Sequence, residues 1–194
     1  MTFKNKKLFD FITLIRIPIS FVIIISLLVK DYFDKVVPLE ITSMSGFFSL
    51  SIIICGVLIR AWSAGTIKKS QEVSRSGPYS IVRHPLYLGS FLIALGFCLL
   101  INDNISLFVL VFLALLIYLP KVIQEEMELT EKFGAEYLNY KKEVSAIIPL
   151  RLSKKIFTKW DSSKYIQHRE WKVGITCLFF IILLELISMR ILIL

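Results

Sequence analysis

A chain of 194 residues that is 56% hydrophobic, with a mean hydropathy of +0.71, lies well above the apolar share of an ordinary soluble domain. The excess is gathered in blocks, and no Gly/Ser/Pro-rich linker divides the chain, so residues 1–194 read as a single integral membrane domain. The net charge of +8 does not argue for nucleic acid, because the bases are spread over what reads as one membrane face, where they mark the cytoplasmic side and meet anionic lipid.

Five apolar blocks follow one another: Leu8–Val29, Met44–Ala64, Pro85–Ile101, Ile105–Leu119 and Val173–Leu194. A spanning helix needs about 20 residues, and the first, second and fifth blocks meet that unaided. Leu8–Val29 is followed by no small-residue cleavage site and is read as a span, not a leader. The third and fourth blocks are short and separated only by Asn102-Asp103-Asn104, the pattern of a tight helical hairpin. The expected fold class is therefore all-α: a polytopic membrane helix bundle of about five transmembrane helices, including that hairpin, with a cytoplasmic helical segment.

Basic residues set the orientation. Lys4, Lys6 and Lys7 precede the first block, Lys68, Lys69, Arg75 and Arg83 fill the second connection, and the stretch 120–172 is dense in Lys and Arg. The first connection balances Lys30 and Lys35 against Asp31, Asp34 and Glu40, and the hairpin turn carries no base. The N-terminus, segment 65–84 and segment 120–172 are thus expected in the cytoplasm. Within the last of these, Gln124–Lys142 reads as two short helices broken at Phe133-Gly134, and Pro149 closes that region. Ser153–Lys172 mixes Ile156, Phe157, Trp160, Tyr165, Ile166 and Trp171 with bases, which suits equally a helix in the headgroup layer or an amphipathic cytosolic helix.

The three cysteines, Cys55, Cys98 and Cys177, lie inside apolar blocks and form no metal spacing with the two histidines, so no metal site is expected. No GxGxxG after a strand, P-loop, HExxH or nucleophile motif is present. The informative stretch is Gly77–Gly89. Pro85 opens a helix whose free N–H groups face the cytoplasmic segment, Arg83 adds a cationic fork, and His84 can donate or accept a hydrogen bond. These residues alone leave two readings open, an anchor to lipid phosphate or an anion-holding site. Glu125-Glu126 likewise reads as a solvated helix face or as acceptors for hydroxyl and ammonium groups. Arg16 and Glu185, within spans, are costly in lipid and read as functional groups or a bundle-facing pair, and Arg60 and Arg190 as residues reaching for the interface.

Taken together, Gly77-Pro78-Tyr79, Arg83-His84-Pro85-Leu86-Tyr87, Glu125-Glu126, Phe133-Gly134-Ala135-Glu136-Tyr137 with Tyr140, and Ile148-Pro149 resemble the isoprenylcysteine carboxyl methyltransferase family. That family belongs with the phospholipid methyltransferases among integral membrane enzymes that use S-adenosyl-L-methionine. The similarity covers about residues 55–150. It implies a cofactor pocket at Gln71, Glu72, Val73, Ser74, Tyr79, His84, Pro85, Leu86, Tyr87, Glu125 and Glu126, and acceptor positioning by Arg83 and Lys121. Lys121 stands where the family has Arg, which keeps the charge and loses the planar fork. The N-terminal block and residues 151–194 match nothing in that pattern.

The expected function is methyl transfer from S-adenosyl-L-methionine to an anionic oxygen, phosphate or carboxylate, of a membrane lipid or lipidated acceptor. The Ile/Lys/Phe-rich composition suggests a bacterial inner membrane, with the site facing the cytoplasm and lipid A phosphate as one candidate acceptor. Isoprenylcysteine carboxyl O-methylation and phospholipid amine N-methylation are the alternatives within the family. A non-catalytic scaffold or transporter subunit is the alternative outside it, although no internal repeat of the transporter kind occurs.

Overall fold

The computed structural model describes residues 41–67, 72–102, 104–150 and 154–193. The expected first span Leu8–Val29, the flanking lysines, Arg16, Gln71 and Asp103 lie outside the described residues. Among the described residues every regular element is helical: α1 (Met44–Thr66), a 3-10 turn at Gly77–Ser80, α2 (Pro85–Ile101), α3 (Asn104–Phe133), α4 (Ala135–Glu143), a 3-10 turn at Lys154–Ile156, α5 (Ser162–Gln167) and α6 (Trp171–Ile193).

Helix α1 starts where Ser43 Oγ accepts the Gly46 N–H at 3.1 Å. Its inner face is lined by small residues that let α2 approach backbone to backbone. A Cβ on Gly56 would lie 2.7 Å from Gly89 O, and one on Gly96 would lie 2.9 Å from Ser49 O. Such close packing supplies dispersion contacts where lipid gives no hydrophobic drive between helices.

The predicted hairpin is present. Asn102 adopts the left-handed conformation (φ 56, ψ 38) and its N–H caps Cys98 O and Leu99 O at 3.1 and 3.2 Å before α3 begins at Asn104. At 17 residues α2 is about 26 Å long, short of the roughly 30 Å hydrocarbon core. Helices α1 and Leu107–Phe133 of α3 are long and apolar enough to cross a membrane. Their outward faces, with Phe47, Phe48, Ile54 and Leu58 on one and Phe108, Phe112, Leu116 and Leu119 on the other, are exposed. The 23 residues of α6 likewise expose Ile175, Leu178, Phe179, Ile182 and Leu186. Apolar faces this large need hydrocarbon against them, and the protein is an integral membrane protein.

Two expectations change. The first of the two short helices foreseen in Gln124–Lys142 is the far end of α3, which runs unbroken for 30 residues through Pro120. A mid-helix proline removes one hydrogen bond and clashes with the preceding turn, yet the flanking turns carry the helix on. The break falls where expected, at Gly134, whose φ of 54 and ψ of −128 no side-chain-bearing residue adopts readily. Residues Ser153–Lys172 do not form one amphipathic helix: a 3-10 turn and the six-residue α5 stand there, the latter capped by Asp161 Oδ1 accepting the Ser163 N–H at 2.9 Å.

Gly89→Val, placing branched carbons against Gly56 O, is expected to destabilise the α1–α2 pair by ~1–3 kcal/mol. Thermal unfolding in detergent checks this, and an unchanged midpoint would mean the backbones do not meet there.

Candidate functional site

The site is assembled by tying the Gly77–Gly89 stretch to α3 and α4. The Arg83 N–H donates to Ser145 O at 2.8 Å and the His84 N–H to Ala146 O at 3.0 Å, alongside a parallel bridge between Val82 and Ser145. Tyr140 on α4 donates its hydroxyl to Tyr79 O at 2.6 Å. Beneath, Val73, Tyr137 and Tyr140 form a buried apolar cluster with Leu129, Phe133 and Val144 against it.

At the centre is Glu126. Arg83 donates to its Oε1 from Nε at 2.9 Å and from Nη2 at 2.6 Å, and Lys141 Nζ lies 2.6 Å from Oε2. Burial pushes the carboxyl up, but the bonds from Lys141 and Arg83 outweigh it and hold Glu126 below the usual carboxylate range. Glu126 lies beyond the apolar run of α3, which ends at Leu119. An ionised carboxylate only accepts, so His84 Nε2, 3.3 Å from Oε1, carries the proton. Burial lowers the His84 pKa against the pull of Glu125 and Glu126, which keeps the ring neutral near pH 7. A neutral ring protonated at Nε2 leaves Nδ1 with a lone pair, 3.8 Å from Glu125 Oε2. Glu125 itself accepts the Tyr87 hydroxyl at 3.0 Å, and Tyr87 packs against His84 and Tyr118 with ring centroids 5.7 and 5.5 Å apart.

Arg83, His84, Tyr87, Tyr118 and Glu125 line a cavity of about 380 Å³, a size that admits a small cofactor. Of the residues expected at a cofactor pocket, Tyr79, His84, Pro85, Leu86, Tyr87 and Glu125 line it, and Arg83 lines it too. Tyr79 is buried, and its hydroxyl has no hydrogen-bond partner within the protein. Burial pushes its pKa up, so it is a neutral phenol available to a ligand.

Other expected residues stand elsewhere. Glu126 is spent on Arg83, Lys141 and His84 and is absent from the lining, and Val73 belongs to the apolar cluster. Glu72 and Ser74 are likewise absent from the lining. Arg83 also donates to Lys141 O at 3.0 Å and to Val144 O, so each of its guanidinium nitrogens has a partner. Lys121 reaches Gln124 Oε1 at 3.4 Å and does not line the cavity. Conversely, Arg60, Ala64, Ile67, Ser90, Tyr118, His168 and Glu170 line it unforeseen. Arg60 was read as an interfacial cation; its partner, Glu170, comes 110 residues later, a separation no spacing rule reports.

Comparison with known proteins finds relatives over the same part of the chain. The phospholipid methyltransferase family matches residues 41–136, the region that builds α1, α2, α3 and the Glu125-Glu126 pair. This segment of the chain is similar to that family, and its resemblance to isoprenylcysteine methyltransferases is shown as well. It is 40% identical over 85 residues to the protein-S-isoprenylcysteine O-methyltransferase of Saccharomyces cerevisiae, covering 43% of this chain and 36% of the yeast protein. It is 35% identical over 82 residues to the Schizosaccharomyces pombe protein of the same name, covering 42% and 35% of the two chains. The nickel-cobalt-cadmium resistance protein NccN of Alcaligenes xylosoxydans xylosoxydans is 35% identical over 96 residues, 48% of this chain and 44% of that one. The chain thus spans less than half the length of each of these relatives. No solved structure matches.

Acid is expected to loosen the site on two counts. Both His84 and Glu126 have folded pKa values below their ordinary 6.5 and 4.5, so in each window the unfolded chain binds more protons. Stability is full above about pH 6.5, declines first through His84, then again as Glu126 protonates below about pH 4.5. His84→Gln should flatten the first decline in thermal midpoint, while a wild-type midpoint constant from about pH 7 to about pH 5 would contradict the assignment. Arg83→Ala, leaving Glu126 buried and half-paired, should cost ~3–5 kcal/mol by the same measurement.

Proposed function

We propose that this protein is a membrane methyltransferase that takes S-adenosyl-L-methionine as methyl donor and a lipidated or lipid acceptor, with isoprenylcysteine-type carboxyl O-methylation as the first reading. The observation that carries it is the convergence of Tyr79, His84, Tyr87 and Glu125 on one cavity, inside the segment that matches methyltransferases. The residues fit the donor. Glu125 accepts from ammonium or ribose hydroxyl groups, Tyr79 offers an unspent hydroxyl, and Tyr87 and Tyr118 supply aromatic faces.

When bound, the donor supplies an electrophilic methyl group, so the protein's part is to bind, orient and exclude water. His84, with Nε2–H given to Glu126, keeps a lone pair at Nδ1. It can take a hydrogen bond from a ligand or, for an amine acceptor, a proton. An ionised carboxylate acceptor needs no base. Phospholipid amine methylation is the second reading, favoured by the family's own description and by that basic nitrogen. No relative named here supports lipid A phosphate, and that acceptor is set aside. Lys121, whose ammonium lies off the cavity, would have to act on the acceptor from the membrane side, beside the exposed Leu119 and Ile123. We place the cavity on the cytoplasmic side of a five-span chain, because the basic segments 65–84 and 120–172 both feed it.

Calorimetric titration of the solubilised full chain with S-adenosylhomocysteine tests the reading. Binding is expected, lost in Glu125→Ala and weakened in His84→Ala. Tyr79→Phe should weaken it about three- to tenfold, the worth of one neutral hydrogen bond. No binding by the wild type would end the cofactor assignment.

A further inference from the structure

The cavity has a wall built from outside the family segment. Residues 157–170 lie beyond the matched residues 41–136, yet His168 and Glu170 line the cavity. This strap is fastened to the last turns of α1 at two places. At its start, Trp160 Nε1 donates to Ala61 O at 3.0 Å and the Asp161 N–H to Gly65 O at 3.0 Å. The seat is made by the missing side chain of Gly65, where a Cβ would lie 2.0 Å from Trp160 Nε1. At its end, Glu170 accepts from Arg60 Nε at 3.0 Å and Nη2 at 2.8 Å, the two-bond grip that fixes geometry as well as charge.

Arg60 reaches further. Its Nη1 donates to Leu86 O at 3.3 Å and to Ser90 Oγ on α2. One guanidinium therefore joins α1, α2 and the strap at the cavity wall. The pair is well shielded, with side chains 20% and 12% exposed, so losing one partner would leave a poorly solvated charge. A group used only to dissolve a surface would not be placed there.

We propose that Glu170 is a positioning residue: by gripping Arg60 it holds residues 157–170 closed over the cavity, and this closure retains the bound methyl donor or its demethylated product. The retention half rests on the cofactor reading above, while the closure half does not. A closed wall excludes water and slows ligand escape, as closing segments do elsewhere. Trp160 is the hinge-side fastening and Glu170 the latch.

The two halves are read separately on the full chain in detergent. With Cys55, Cys98 and Cys177 replaced by Ala, an Ala64→Cys reporter in the cavity wall is labelled with a cationic methanethiosulfonate reagent. Glu170→Gln and Trp160→Phe are each expected to speed labelling about tenfold, equivalent to one lost interaction of ordinary strength, with Glu170→Asp in between. In a chain with native residue 64, the same variants should raise the dissociation rate of S-adenosylhomocysteine by a similar factor, with Trp160→Phe leaving the thermal midpoint within a few degrees and Glu170→Gln lowering it. If Glu170→Gln does not fold, Trp160→Phe decides closure and Glu170→Asp decides the latch. Unchanged labelling in the folded variants overturns the proposal. Faster labelling with unchanged dissociation overturns retention. A wild type that binds no S-adenosylhomocysteine defeats the cofactor reading, and with it retention, while the labelling still decides closure.

Discussion

One buried carboxylate holds the polar half of the described molecule together. Glu126 leaves α3 some turns beyond its apolar run and meets Arg83 from the stretch before α2, Lys141 from α4, and His84. Arg83 and His84 come from one stretch and Lys141 from another, so with α3 itself a single anion sets the relative position of three elements. Burying a charge is costly, and its net worth to stability is small even when well paired. Its value here is geometric. With Glu126 held ionised, the proton on His84 is confined to Nε2, and the ring's remaining lone pair has a defined direction.

That arrangement depends on what α1, α2 and α3 do within the apolar layer. Gly56, Gly89 and Gly96 bring α1 and α2 into backbone contact, so Arg60 near the end of α1 stands beside Leu86 and Ser90 at the start of α2. The uninterrupted α3 then carries Glu125 and Glu126 rigidly out of the apolar region. Had Pro120 ended the helix, the acidic pair would sit on a hinge, and the 2.6 Å contact from Arg83 would not be enforced. Rigid elements aim side chains better than loops do.

Much of this was legible in the residues. The hairpin at Asn102, the helix opened by Pro85 and the break at Gly134 follow from local rules about turns, prolines and glycines. The juxtaposition of His84 with Glu125 also came through, because motif order and charge placement put both on one face. What escaped was of two kinds. The division of labour between Glu125 and Glu126, neighbours in sequence, depends on which side of α3 each faces, and a helix turns about 100° per residue. Arg60 with Glu170 escaped because long-range pairing leaves no periodic trace, and because Glu170 lies in a stretch with no family pattern. Lys121 was placed at the site by resemblance alone, and its ammonium faces Gln124 instead.

Charge bookkeeping around the cavity gives the last step. Arg83 is matched by Glu126, and Arg60 by Glu170, each pair at 2.6 to 2.8 Å. Those four groups cancel and are largely saturated by one another and by backbone carbonyls. His84 is neutral. The carboxylate of Glu125, bonded by Tyr87, is then the lining carboxylate with no cationic partner among the described residues. An unpaired carboxylate beside a free neutral phenol favours a ligand with a cationic centre. Under the proposed function a sulfonium donor meets that requirement. Its product has lost the sulfonium charge and keeps only the ammonium as a cationic centre. The same electrostatics that draw the donor in therefore weaken after transfer, which would make opening of the strap, not attraction by the pocket, the control on product release.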